Sequence, residues 1–90
     1  MSQPKANTKE RIRAHIELTT NEEIAKFMAV MANLEDTYSL EDFEGVQRAN
    51  AKSTLGVMYA TADYGAQLYL VNDTNDGVFP AALDAFRVHS

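Results

Sequence analysis

The chain contains no cysteine among its 90 residues, so disulfides cannot stabilise it and no thiol is available for catalysis or metal binding. Its four glycines are isolated from one another, which excludes the glycine-rich loops that bind nucleotide phosphates. No apolar run approaches the roughly 20 residues needed to cross a bilayer. The polar, basic start also lacks the apolar segment of a signal peptide. We therefore expect a cytoplasmic protein without a membrane segment.

Negative charge dominates the sequence, whose formal net charge is -5. This balance disfavours nucleic acid and anionic membranes as partners, and we expect neither. The charge is uneven, because basic residues gather near the start and most acids lie in residues 17–44. A basic start of this kind is typical of a solvated arm and an exposed strand face.

The length leaves room for one domain only. Hydrophobic residues make up 46% of the chain and charged residues 23%, which is typical of a globular protein with a single core. We predict that residues 1–9 form a flexible polar leader and that residues 10–90 form the domain.

The first ordered pattern is a strict alternation of apolar and polar residues over positions 11–18, which predicts a half-buried strand. Its apolar face consists of Ile12, Ala14, Ile16 and Leu18. Thr20 then precedes Glu23 by three residues, as in a capping box, where the glutamate reaches back to the start of the helix. Apolar residues at helical spacing follow, and they predict a helix that packs on a sheet: Ile24, Phe27, Met28, Met31 and Leu34.

Shorter patterns fill the rest of the chain. They predict strands at 37–43, 46–49 and 67–72, a helix from Ser53 to about Tyr59, and a closing helix at 79–86. The order β-α-β-β-α-β-α predicts an α+β fold, in which a four-stranded antiparallel sheet carries its helices on one face.

One run of residues resembles a known family. The run Asn50-Ala51-Lys52-Ser53-Thr54-Leu55-Gly56-Val57-Met58 is similar to the start of the second helix in HPr, the histidine-containing phosphocarrier protein of the bacterial sugar phosphotransferase system. The order of elements over about residues 10–88 resembles the same family. The resemblance implies an HPr-like open-faced β-sandwich and directs attention to two phosphorylation sites.

The first family site is a histidine at the start of the first helix, followed by alanine, arginine and proline. A neutral imidazole is the nucleophile there, while helix amides and a guanidinium hold the phosphoryl oxygens. The corresponding segment here contains no histidine, arginine or proline, and its central residues are Thr20, Asn21, Glu22 and Glu23. We expect a degenerate site without phosphoryl transfer. Its glutamates either complete the capping box or imitate a phosphorylated histidine.

The second family site is a serine in the second helix, which a dedicated kinase/phosphorylase modifies in low-GC Gram-positive bacteria. Ser53 occupies the matching position, where a phosphate would meet free helix N–H groups. The resemblance therefore implies a regulatory phosphoacceptor at Ser53, beside a partner-binding surface of Lys52, Thr54, Leu55 and Met58. Helix capping alone would also select a serine here.

The two histidines give no further site. His15 falls on the polar face of the first predicted strand, and His89 is the penultimate residue. They do not have the spacing of metal ligands, so we predict a surface histidine at position 15, no metal and no cofactor.

The sequence is compatible with three functions. The first is a non-catalytic HPr-like regulatory or protein-interaction domain. The second is a serine-phosphorylated partner of a transcriptional regulator, similar to the catabolite-repression homologue of HPr, or another phosphotransferase-system component. Both predict protein partners, such as a serine kinase/phosphorylase or a regulator. The third is an unrelated small enzyme or ligand-binding domain, which an enclosed pocket with convergent carboxylates would favour.

Overall fold

The computed structural model describes residues 11–88, so the predicted leader at 1–9 lies outside the described residues. The elements in chain order are β1 (Arg13–Ile16), α1 (Asn21–Ala32), β2 (Tyr38–Glu41), β3 (Arg48–Asn50), α2 (Thr54–Tyr64), β4 (Leu68–Asn72) and a closing 3₁₀ helix (Ala81–Phe86). The strands form one antiparallel sheet in the order β1-β4-β2-β3, against which the helices pack. The predicted α+β fold is confirmed. No helix among the described residues has the length and apolar character to span a membrane.

The core lies between the sheet and the helices. At its centre Leu40 of β2 pairs with Leu70 of β4, which pairs in turn with Ala14 of β1, and all three are buried. Phe27 and Met31 of α1 are fully buried above them, as the apolar stripe predicts. The rest of that stripe is partly buried at the edge of the core.

The first strand is shorter than the alternation predicts. Ile12 was expected on the buried face but is exposed, because its backbone N–H donates to Asp76 Oδ1 (3.1 Å) instead of joining the sheet. The Ile12 side chain lies against Gly77, where an added Cβ would come within 2.8 Å of it. These turn contacts keep Ile12 out of the sheet, and β1 therefore begins at Arg13.

The turn between β2 and β3 is longer than the two residues, 44 and 45, that separate the predicted strands. Asp42 Oδ1 accepts hydrogen bonds from the backbone N–H groups of Val46 (2.8 Å) and Gln47 (3.3 Å). Because these contacts keep Val46 in the turn, it is exposed and β3 begins at Arg48. The predicted strand at 46–49 was thus displaced toward the C-terminus.

The second and closing helices also differ from their predicted limits. α2 extends beyond Tyr59 because Ala60 and Tyr64 continue its buried face, and it ends at Gly65, whose φ is +61°. The closing segment is a six-residue 3₁₀ helix rather than the predicted longer helical stripe. Its buried residues, Leu83 and Phe86, are three apart, the repeat of a 3₁₀ helix.

The outer face of the sheet carries a closed ring of ion pairs. Arg11 and Arg48 each contact both Glu41 and Asp73, with Arg48 2.8 Å from Asp73 and 3.2 Å from Glu41. The Glu41 side chain is only 4% exposed. Val71 faces the same side as Glu41 and is fully buried, so the long side chains of this ring shield an apolar group from water.

Candidate functional site

Ser53 forms the corner between β3 and α2. It caps α2 as predicted, since its Oγ accepts a hydrogen bond from the Gly56 backbone N–H (3.1 Å). Its own N–H donates to the Asn50 carbonyl (3.1 Å). Gly56 approaches the same carbonyl so closely that an added Cβ would lie 2.9 Å from the Asn50 oxygen. The glycine beside the serine is therefore required by packing at this corner.

Lys52 makes a structural contact beside this corner. Its ammonium donates to the backbone carbonyl of Leu34, just beyond the C-terminal end of α1. Its backbone N–H donates to Asn50 Oδ1 (2.9 Å). The side chain thus joins the end of α1 to the start of α2 and is half-buried.

The start of α1 is a variant of the predicted capping box. Thr20 Oγ1 accepts from the Glu23 N–H (3.0 Å) as expected. The Glu23 carboxylate, however, accepts from the N–H (2.7 Å) and hydroxyl (2.9 Å) of Thr19 rather than from Thr20. The backbone hydrogen bond from Thr19, followed by that from its side chain, lowers the pKa of Glu23. Glu23 is therefore occupied by capping, whereas Glu22 is exposed near Lys26 (4.0 Å).

The outer face of α2 is apolar. Leu55, Met58 and Tyr59 are exposed by 79%, 49% and 53% respectively. The only charged residue in the helix is Asp63. Val57, Ala60 and Tyr64 occupy the inner face, so large apolar side chains lie on the exposed side of α2 as well, together with the polar Thr54 and Asp63. Leu55 and Met58, which the resemblance assigns to a partner-binding surface, are thus exposed. Tyr59 is not part of that predicted surface, because the sequence predicts that the helix ends at this residue.

A groove between α1 and α2 brings together residues from both predicted sites. It has a volume of about 490 Å³ and is lined by Asn21, Ile24, Ala25, Met28, Thr54 and Met58. Asn21 comes from the segment that the resemblance compares with the phosphocarrier site, and Thr54 and Met58 come from the segment after Ser53. A second cleft of about 410 Å³ shares Asn21 and Ile24 with this groove and reaches Glu17 and Thr61. The two depressions therefore adjoin each other at Asn21 and Ile24.

His15 is in β1, on the outer face of the sheet, and does not line this groove. Its ring stacks on Tyr69, with centroids 4.7 Å apart, and its Nε2 is 2.8 Å from the Ala66 carbonyl. The prediction of a surface strand histidine is consistent with this position, and His89 lies outside the described residues. Within residues 11–88, no group of three or more histidine or acidic side chains is placed to hold a metal ion.

The chain was compared with known protein families, with curated proteins and with solved structures, and no match was found in any of the three.

Proposed function

We propose that this chain is a cytoplasmic protein-interaction domain of the HPr-like type, without enzymatic activity and without histidine phosphoryl transfer. The observation that carries the proposal is the apolar outer face of α2 beside the groove to α1. A helix that is apolar on all sides is normally buried, and contiguous exposed apolar groups commonly mark interaction sites. α2 has one side buried in the domain and the other side available for a partner.

The occupant that fits this surface is an amphipathic helix of a partner protein. Ile24 and Met28 lie one helical turn apart on α1 and, with Met58, provide an apolar floor. Helices dock in such grooves through apolar side chains at i, i+3 or i+4, and i+7. Methionine side chains adapt readily to different apolar shapes. Leu55 is exposed next to Thr54 and would extend the contact. Tyr59 reaches instead toward the β2–β3 turn, where its hydroxyl donates to Gln47 Oε1 (3.1 Å).

The absence of phosphoryl transfer is supported by the residues at the start of α1. A carrier needs a neutral imidazole with positive groups around the phosphoryl oxygens. Here Glu23 receives two hydrogen bonds from Thr19 and Glu22 is exposed, so negative charge stands at this helix start. Incubation with the upstream phosphotransferase kinase and phosphoenolpyruvate should give no acid-labile phosphate. Phosphate on His15 would contradict the proposal.

The docking surface is tested by photo-crosslinking. A photoreactive residue at position 55 should crosslink to a discrete partner, and the same residue at position 67, beside the outer face of the sheet, should not. Purified partner should then bind wild type and lose about tenfold or more in affinity for Leu55→Asp or Met58→Asp. Val78→Asp is the matched control, because Val78 is an exposed valine elsewhere in the domain. Equal binding to all four proteins would refute docking on α2.

Regulation at Ser53 is the second candidate function, favoured by its position next in sequence to a residue that lines the groove. Ser53 is half-exposed and immediately precedes Thr54, which lines the groove. A phosphate there would be stabilised by the free N–H groups at the helix start. Treatment with a serine kinase of this system and ATP should add one phosphate to wild type and none to Ser53→Ala. Unchanged intact mass of wild type, or a gain that persists in Ser53→Ala, would exclude this site.

A further inference from the structure

The exposed side of α2 has the residue spacing of a helix that packs against another helix. Four exposed apolar residues stand at positions i, i+3, i+4 and i+7 of α2: Leu55, Met58, Tyr59 and Ala62. Residues with this spacing share one side of a helix, and helices dock in apolar grooves through the same spacing. The outer face of α2 is therefore itself a helix face of the kind that fits the groove between α1 and α2.

Charge makes α2 a favourable place for two copies of this chain to meet. Each copy has a formal net charge of -5, so two copies repel each other in most orientations. α2 has a single charged residue among its 11 positions, Asp63 in its last turn. In an antiparallel pair of α2 helices this carboxylate lies level with the start of the second helix, where free N–H groups carry partial positive charge. Antiparallel pairing thus puts the one acid of α2 where it is attracted.

We propose that, until a partner protein binds, the α2 helices of two copies of this chain pair antiparallel about a two-fold axis and cover each other's docking face. With the axis between Met58 and Tyr59, the large Leu55 side chain of one copy packs on the small Ala62 of the second copy. Met58 and the exposed part of the Tyr59 ring lie beside the axis. Such a two-fold interface is self-complementary, because the same patch serves both copies. The inference rests on the proposed function, since both use the outer face of α2.

The pair is expected to be weak. The stripe covers about two turns, or roughly 10 Å of helix, which places the contact at the small end of specific interfaces. We expect a dissociation constant on the order of 0.1–1 mM. A partner protein that binds more tightly therefore displaces the second copy.

Sedimentation equilibrium of the full chain at up to about 2 mM tests the pairing. The weight-average mass should rise from 10.0 kDa toward twice that value. Ala62→Glu sets a charge against the Leu55 side chain and should weaken the dimer by about tenfold or more. Ala29→Glu is the matched control, because it adds the same charge at an exposed alanine of α1, and it should pair as wild type does. A mass of 10.0 kDa at every concentration, or equal pairing of the two variants, would overturn the proposal.

A spin label reports the orientation of the pair. The chain has no cysteine, so Ala66→Cys, just beyond α2, accepts a single nitroxide. In a mixture with isotope-labelled chain, antiparallel pairing predicts broadening of the amide signals of residues 52–55. Broadening centred on residue 66 would indicate a parallel pair and contradict the proposal. Amide dispersion of each variant confirms that it is folded before its pairing is compared.

Crosslinking at position 55 separates this inference from the proposed function. A chain that stays monomeric but crosslinks to a partner protein would refute the pairing of α2 and leave the proposed function in place, whereas a chain that does neither would refute both. Purified partner should convert the dimer into monomers that carry the partner. A partner that binds without dissociating the dimer would show that the second copy does not cover the docking face.

Discussion

Neutralising Glu41 should cost this domain about half of its stability. The carboxylate is nearly fully buried on the outer face of the sheet and contacts three arginines: Arg11, Arg48 (3.2 Å) and Arg13 (3.7 Å). In Glu41→Gln the shape is kept, but an amide NH₂ replaces one oxygen and the guanidinium groups lose their common counter-ion. Breaking a buried ion pair costs about 3–5 kcal/mol, whereas an exposed pair contributes about 0–1 kcal/mol.

The side chains of the three arginines are 27–41% exposed, so water solvates part of their charge. The loss of stability in Glu41→Gln therefore lies between the values for an exposed and a buried ion pair. We expect about 2–3 kcal/mol, out of a total on the order of 5 kcal/mol. The corresponding fall in melting temperature is about 10–20 °C.

Urea unfolding at constant pH measures the effect, with Glu44→Gln in the adjoining turn as the control. Glu44→Gln should change stability by less than about 0.5 kcal/mol. A double-mutant cycle of Glu41→Gln with Arg48→Gln should show a coupling of about 1 kcal/mol or more. If Glu41→Gln were as stable as Glu44→Gln, the ring of ion pairs would not contribute to the fold.

Three further perturbations test local features, each by urea unfolding. Ser53→Ala removes the hydroxyl that caps α2 and should cost about 1 kcal/mol, whereas Ser53→Asn should restore most of it; equal losses would show that capping is unimportant. Gly56→Ala should cost about 1–3 kcal/mol because its Cβ would meet the Asn50 carbonyl at 2.9 Å, and an unchanged midpoint would show that the corner can open. Hydrogen bonds from Asn72 and Asn75 lower the pKa of Asp36 below its usual 3.8. The ionised Asp36 carboxylate therefore stabilises the fold above pH 3.8, and this stabilisation is lost as the pH falls through the lowered pKa of the folded state. Asp36→Asn should therefore lose less stability than wild type between neutral pH and about pH 3; parallel losses would contradict this.

The features that sequence predicted well are local ones. Thr20 and Ser53 cap helices through contacts three residues away, and such contacts leave a clear signature in the chain. Phe27 and Met31 were placed in the core because a helical stripe fixes which face is buried. The antiparallel sheet could be predicted because the apolar faces of the strands and helices can be buried together in few other arrangements.

The features that were missed depend on strand order and on helix packing. Glu41 appears in sequence as an ordinary surface acid. It is buried because Arg11, which precedes β1, approaches it from 30 residues earlier in the chain, and Arg48 approaches it from the neighbouring strand β3. The groove likewise unites Asn21 with Thr54, which no short-range pattern connects. The sequence predicts that α2 ends at Tyr59, because the residues between Tyr59 and Gly65 show only weak helical periodicity of apolar side chains. The helix in fact continues to Gly65.

The groove and Ser53 are close enough for their effects to be coupled. A phosphate would add a charge of about −1.5 to −2 next to Thr54, while Lys52 is already bound to the Leu34 carbonyl. A partner helix with an uncharged end at this position would have to desolvate that charge and would bind more weakly, whereas one with a lysine or arginine there would bind more tightly. Ser53→Asp and Ser53→Asn both cap α2 and differ mainly in charge, so their affinities for one crosslinked partner isolate this effect. We expect the affinities of the two variants to differ by about threefold to tenfold. Ser53→Asp should bind more tightly than Ser53→Asn if the partner helix has a lysine or arginine at this end, and more weakly if that end is uncharged. Identical affinities of the two variants would show that charge at position 53 does not affect docking.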